Sequence, residues 1–168
     1  MKRRTVLAVG VGTGALLALA GGTLALLKPG LQGGRLSPAG RDLFAAVARA
    51  VLADLLPADA AAREQATQAH LQRLDATIAG VPPAVQAEID ELVSLLASAP
   101  GRLGLAGLGI DWAQASTDDV QATLQRLRTS SLALRQQIYH ALRNLTNAAW
   151  FADAAAWPAI GYPGPRAV

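Results

Sequence analysis

The sequence predicts an all-α protein: an N-terminal signal or anchor helix, a small bundle of about five helices, and an extended C-terminal tail. Three observations carry this. Hydrophobic residues make up 52% of the chain but aromatics only 4%, and much of the apolar content is alanine, which favours helix and allows close helix packing. Apolar residues recur at helical spacing in several separate stretches. No repeat, heptad array or alternating strand pattern interrupts them.

The elements follow in order. "MKRRTVLAVGVGTGALLALAGGTLALLKPG" begins with Lys2, Arg3 and Arg4 and continues through 23 uncharged residues, Thr5 to Leu27. About 20 apolar residues suffice to span a bilayer as a helix, so residues 1–28 read as a signal or membrane anchor. Ala18-Leu19-Ala20 fits a small-residue cleavage site, while the apolar run continues through Leu24, Leu26 and Leu27 as an uncleaved anchor would. Arg3-Arg4, one spacer and then Val6-Leu7 form a twin-arginine-like pattern. Lys2 and Val6 depart from the usual residues of that pattern. By either route the basic start stays in the cytoplasm and the body lies on the far side.

Residues 29–36 read as a glycine-rich linker, and residues 37–168 as one helical domain whose tail covers 152–168. Ser37 stands as N-cap with Pro38 at the first helical position; Leu43, Phe44, Val47, Val51, Leu52 and Leu55 form the stripe, and Pro57 ends the helix. A second helix runs from about Ala60 to Ile78, with Leu71, Leu74 and Ile78 inward. After Gly80 and Pro82-Pro83 a third covers about Ala84 to Ala97. "SAPGRLGLAGLGIDW" breaks the pattern as a close-packed apolar connector; it has no preceding strand and no P-loop lysine, so it is not a phosphate loop. Ser116 opens a fourth helix with an acid, Asp119, at N3. The last runs from about Ser131 to Phe151 on a stripe of Leu134, Ile138, Leu142 and Leu145.

Charge and residue inventory exclude several functions. Four of the positive charges, Lys2, Arg3, Arg4 and Lys28, flank the apolar run, and the rest of the chain is slightly acidic. Nothing points to nucleic acid. Arg126, Arg128 and Arg135 cluster as a solvated helix face. With no cysteine, disulfides, Cys-ligated clusters and c-type haem attachment are excluded on this chain. His70 and His140 each lack a ligand partner one helical turn away, and Asp75 stands five residues from His70. Asp90 and Glu91 are adjacent rather than face-sharing, and Ser130-Ser131 has no nearby histidine. No nucleophile, base and orienter assemble from these residues, so the chain reads as no enzyme by itself, with no catalytic, cofactor-binding or metal-binding residue.

The tail is more specific. Trp157-Pro158-Ala159-Ile160-Gly161-Tyr162-Pro163-Gly164 resembles the W-x-x-I/L-G-Y-P-G ending of the gluconate 2-dehydrogenase small-subunit family (subunit 3). The twin-arginine-like leader and "LLPADA" (Leu55 to Ala60) are similar to that family with less specificity. The resemblance implies a non-catalytic accessory subunit, periplasmic and exported by the twin-arginine route, inner-membrane-associated through the N-terminal helix. Its partner would be a large glucose–methanol–choline (GMC) type flavoprotein holding FAD, with a cytochrome c subunit or quinone as electron acceptor. Arg3 and Arg4 would be the export signal; Trp150, Trp157, Ile160, Tyr162 and Pro163 the partner-binding residues. The alanine-rich stretch before Trp157 is shorter than in relatives, which leaves the partner's substrate open. Two other readings stand beside it: a membrane-anchored helical scaffold of an unrelated periplasmic complex, and a small enzyme whose site the sequence does not reveal.

Overall fold

The computed structural model describes residues 29–164. The twin-arginine pattern, the apolar run and the last four residues lie outside that range. Within it the chain is mostly helical. Five long helices, α1 (Pro38–Val51), α2 (Ala60–Ala79), α3 (Pro83–Ala97), α5 (Thr117–Arg128) and α6 (Ala133–Phe151), surround one core. A short α4 (Ala99–Gly101) and a π-helical turn (Arg102–Ala106) join α3 to α5. Among the described residues no helix is long and apolar enough to cross a membrane.

Local chemistry sets the helix starts. The Ser37 hydroxyl accepts the Gly40 N–H at 3.1 Å, and Pro38 occupies the first turn, where a missing N–H costs nothing. Asp59 caps α2 through the Ala62 N–H. Ser116 and Asp119 form a reciprocal capping box on α5. The Ser116 hydroxyl and N–H both donate to the Asp119 carboxylate, which holds its pKa below the ordinary value. The capping box is the feature the "STDD" stretch predicts.

α1 is the central element and packs against α2, α3, α5 and α6. Its Leu43, Phe44 and Val47 are fully buried, with Leu71, Leu74 and Ile78 of α2, Leu96 of α3, Leu127 of α5, and Ile138 and Leu142 of α6. α1 ends at Val51, earlier than Pro57 implies. The Leu55 and Leu56 N–H groups both donate to the Leu52 carbonyl, so the chain turns while Leu52 stays in the core.

Two expectations are corrected. Residues 29–36 are not a free linker. Leu31–Gln32 (β1) and Arg35–Leu36 (β2) form an antiparallel hairpin, joined by Gly33 and Gly34 at φ 59° and 76°. Two successive positive φ values are what a type I′ hairpin turn requires, and glycine adopts them at no steric cost. Three side chains clamp the hairpin: Ser94 Oγ accepts the Gly30 N–H at 2.6 Å, Asp90 the Leu31 N–H at 2.6 Å, and Asp75 the Leu36 N–H at 2.9 Å. The tail, in turn, is not extended. Ala154–Ile160 forms a 3-10 helix. Proline's fixed φ lies within the 3-10 range, so Pro158 only forgoes one hydrogen bond rather than forbidding the turn.

Candidate docking site at the C-terminus

The C-terminal segment folds as a hook built from its own residues. Asp153 caps it, its Oδ1 accepting the Ala155 N–H at 2.9 Å. Its other oxygen meets Arg73 of α2 at 3.2 Å, which ties the hook's start to the body. At the far end Gly161 has φ 71°. The Gly161 N–H donates to the Pro158 carbonyl at 3.0 Å, and the Tyr162 N–H to the Trp157 carbonyl at 3.1 Å. That pair of bonds, with glycine in the left-handed region, is a Schellman cap. The hydrophobic contact that accompanies such caps is the Trp157–Tyr162 ring pair, 5.3 Å apart and tilted by 63°. The "W-P-A-I-G-Y" motif is thus a helix stop whose aromatic residues occupy its contact positions.

Trp157 also donates its indole N–H to the Phe151 carbonyl at 2.8 Å, and the Gly164 backbone lies over its ring. With that side chain fixed, Ile160 is 54% exposed and Tyr162 46% exposed, and Pro163 is exposed as well. None of Ala154–Ile160 is buried, so the hook sits on the body rather than completing its core.

The structure separates Trp150 from the other four candidate partner-binding residues. It ends α6, half-buried, with the Arg73 guanidinium 5.6 Å from its ring and His70 at 6.0 Å. Its faces are engaged by the body, in a seam between α2 and α6. Arg3 and Arg4 lie outside the described residues.

His70 is fully buried in that seam. Burial pushes its pKa down to about 4, aided by the Arg73 charge, so the ring is neutral near pH 7. Neither ring nitrogen has a hydrogen-bond partner among the described residues, and no base–orienter pair forms around it. His140 is exposed beside Tyr139. Asp75 and Asp90, weighed above as acid–base candidates, have structural work: both clamp the hairpin, and Asp75 also pairs with Arg41 at 2.8 Å. Among the described residues no group of three metal-ligating side chains comes together. A shallow cleft of about 290 Å³ lies between α1, α5 and α6, lined by Val51, Gln121, Leu124, Tyr139 and Arg143.

Comparison of this chain with protein-family models, with curated proteins and with solved structures returned no match.

Proposed function

We propose that this chain is the non-catalytic small subunit of a periplasmic, membrane-associated, FAD-dependent dehydrogenase of the GMC type. It supplies the twin-arginine export signal through Arg3 and Arg4, an anchor through the apolar run, or both, and it stabilises the large subunit. The flavin belongs to that large subunit, and electrons leave it for a cytochrome c subunit or a quinone. The resemblance rests on sequence motifs alone.

One observation carries the reading. The motif that bears the resemblance forms a self-supporting hook, and its fixed geometry turns Ile160, Tyr162 and Pro163 outward. Large apolar groups held outward on a pre-organised element are suited to a partner: little ordering entropy remains to be lost on docking, and tyrosine is a favoured interface anchor. Trp157 acts here as the support behind those residues. A flavoprotein that folds around its cofactor before export needs a folded-protein route, and a small subunit carrying the signal provides it.

The test is isolation of the affinity-tagged full chain from its native membranes. A stoichiometric flavin-containing polypeptide should co-purify with it, and should be lost when the tag is placed on a chain truncated after Asp153. Isolation of the intact chain without flavin absorbance, or with a non-flavin partner, would overturn the reading.

A further inference from the structure

We infer that the end of the bundle opposite the hook is a membrane-apposed surface that rests on anionic lipid headgroups. Three of the large exposed apolar residues gather there: Leu103 (54% exposed) in the π-helical turn, Ile110 (41%) after it, and Leu132 (57%) in the α5–α6 turn. Two arginines knit these segments together. Arg135, in the first turn of α6, donates to the Gly104 carbonyl at 2.9 Å, and Arg126, in the last turn of α5, donates to the Gly107 carbonyl at 3.0 Å. Arg128 stands exposed beside them. Arg102 is matched by Asp111, whereas among the described residues Arg126, Arg128 and Arg135 have no ion-pair partner and leave positive charge around the apolar residues. The hook lies at the other end of α6, about 27 Å away along a helix rising 1.5 Å per residue.

The path of the chain places the membrane at the same end. The hairpin runs antiparallel to α3: Gly34 lies by Gln86, Leu31 bonds Asp90, and Gly30 bonds Ser94. Going back towards the N-terminus, the chain therefore heads for the C-terminal end of α3, from which Ser98 leads into the π-helical turn and Leu103. Gly30 is held there by its N–H on Ser94 and by its carbonyl, which accepts the Ser37 N–H, and a Cβ on it would sit 2.5 Å from the Asp90 carbonyl oxygen. Before Pro29 come Lys28 and then the uncharged run Thr5 to Leu27. Apolar side chains ringed by arginine, next to the exit of such a run, suit the headgroup–acyl boundary, where the side chains enter and the guanidinium groups meet lipid phosphates. The helix-face reading of Arg126, Arg128 and Arg135 leaves the three exposed leucine and isoleucine side chains unexplained; a lipid surface accounts for both.

This inference rests on the proposed membrane association of the N-terminal run, and the experiment separates the two. The chain has no cysteine, so single substitutions Leu16→Cys, Leu103→Cys, Leu132→Cys and Ile160→Cys in the full chain each accept one environment-sensitive fluorophore. The labelled chains are reconstituted into vesicles of phosphatidylcholine alone or of equimolar phosphatidylcholine and phosphatidylglycerol, with a quencher carried on the lipid. Labels at 103 and 132 should be quenched roughly threefold more than the label at 160, more strongly in the anionic vesicles, with Arg128→Glu or added salt removing the difference between compositions. Quenching at 16 with labels 103 and 132 as water-exposed as 160 overturns the surface while leaving the anchor intact. No quenching at 16 overturns the anchor, and quenching at 103 and 132 in that case still supports the surface. Equal quenching in both vesicle types overturns the anionic-lipid assignment. Labels at 103 and 132 shielded only after a flavoprotein partner is added would assign this face to that protein and overturn the proposal.

Discussion

Tyr162 folds back onto Trp157, ring centroids 5.3 Å apart, while its N–H donates to the Trp157 carbonyl at 3.1 Å. Backbone and side chain of the same two residues thus close one loop, and the residue between them that permits it is Gly161. The aromatic pair is as much a consequence of the helix stop as an embellishment of it.

Gly161→Ala tests that relation. At φ 71° an L-residue with a Cβ meets a penalty of about 1–2 kcal/mol. Nothing lies within 4 Å of the added carbon, so the effect is conformational rather than steric. The expected outcome is a frayed hook: faster proteolysis near Tyr162, loss of near-ultraviolet dichroism from the ring pair, and weaker partner binding. Far-ultraviolet dichroism should hardly change. A hook that resists proteolysis as the parent does would remove the Schellman cap from the account.

Truncation after Asp153 removes the whole hook and leaves the Arg73–Asp153 pair in place. Since none of Ala154–Ile160 is buried, the thermal midpoint of the remaining helical body should move little. Partner affinity should fall by about 2–4 kcal/mol if Tyr162 or Ile160 is a binding hot spot. Melting of the body on truncation, or undiminished affinity, would argue against the docking assignment. The contrasting substitution Trp150→Ala should do the reverse, destabilising the body through the α2–α6 seam by about 3 kcal/mol.

The bundle was legible wherever chemistry is local. Ser37-Pro38 and Ser116 to Asp119 mark their helix starts because the cap uses residues within one turn, and the apolar stripes of α1 and α2 point inward as their spacing requires. The hairpin escaped because strands of two residues are too short to show alternation; Gly33-Gly34 was the available signal, and it reads equally as a linker. The hook escaped because three prolines suggest extension, although Pro158 is compatible with a 3-10 turn. The surroundings of His70 and Trp150 depend on the pairing of α2 with α6, which no spacing within either helix specifies. The same holds for Arg135 and Gly104, 31 residues apart.

The hairpin clamp predicts a stability cost of its own. Ser94→Ala leaves the Gly30 N–H, held at 2.6 Å in the present structure, without its acceptor in a buried place. The expected cost is about 1–3 kcal/mol, read as a lower urea midpoint with an unchanged slope. Gly30→Ala should cost at least as much, because the new carbon overlaps the backbone of α3 and neither chain can yield cheaply. Wild-type stability in both variants would mean that the hairpin is not docked as described.

His70 predicts how the body responds to acid. Its folded pKa of about 4 lies below the ordinary 6.5 because burial and Arg73 disfavour the charged ring. Between those values the unfolded chain binds a proton that the folded chain refuses, so stability is full above pH 6.5 and declines as pH falls towards 4. The difference corresponds to a loss of about 3 kcal/mol at most. His70→Leu removes the titrating group and fills the same apolar seam, so at pH 7 it should change stability by no more than about 1 kcal/mol. Its acid sensitivity between pH 6.5 and 4 should flatten relative to the parent. Urea titrations of parent and variant at pH 7, 6, 5 and 4.5 measure this directly. Parallel pH profiles for the two chains would show that the His70 ring titrates normally and that the α2–α6 seam is open to water.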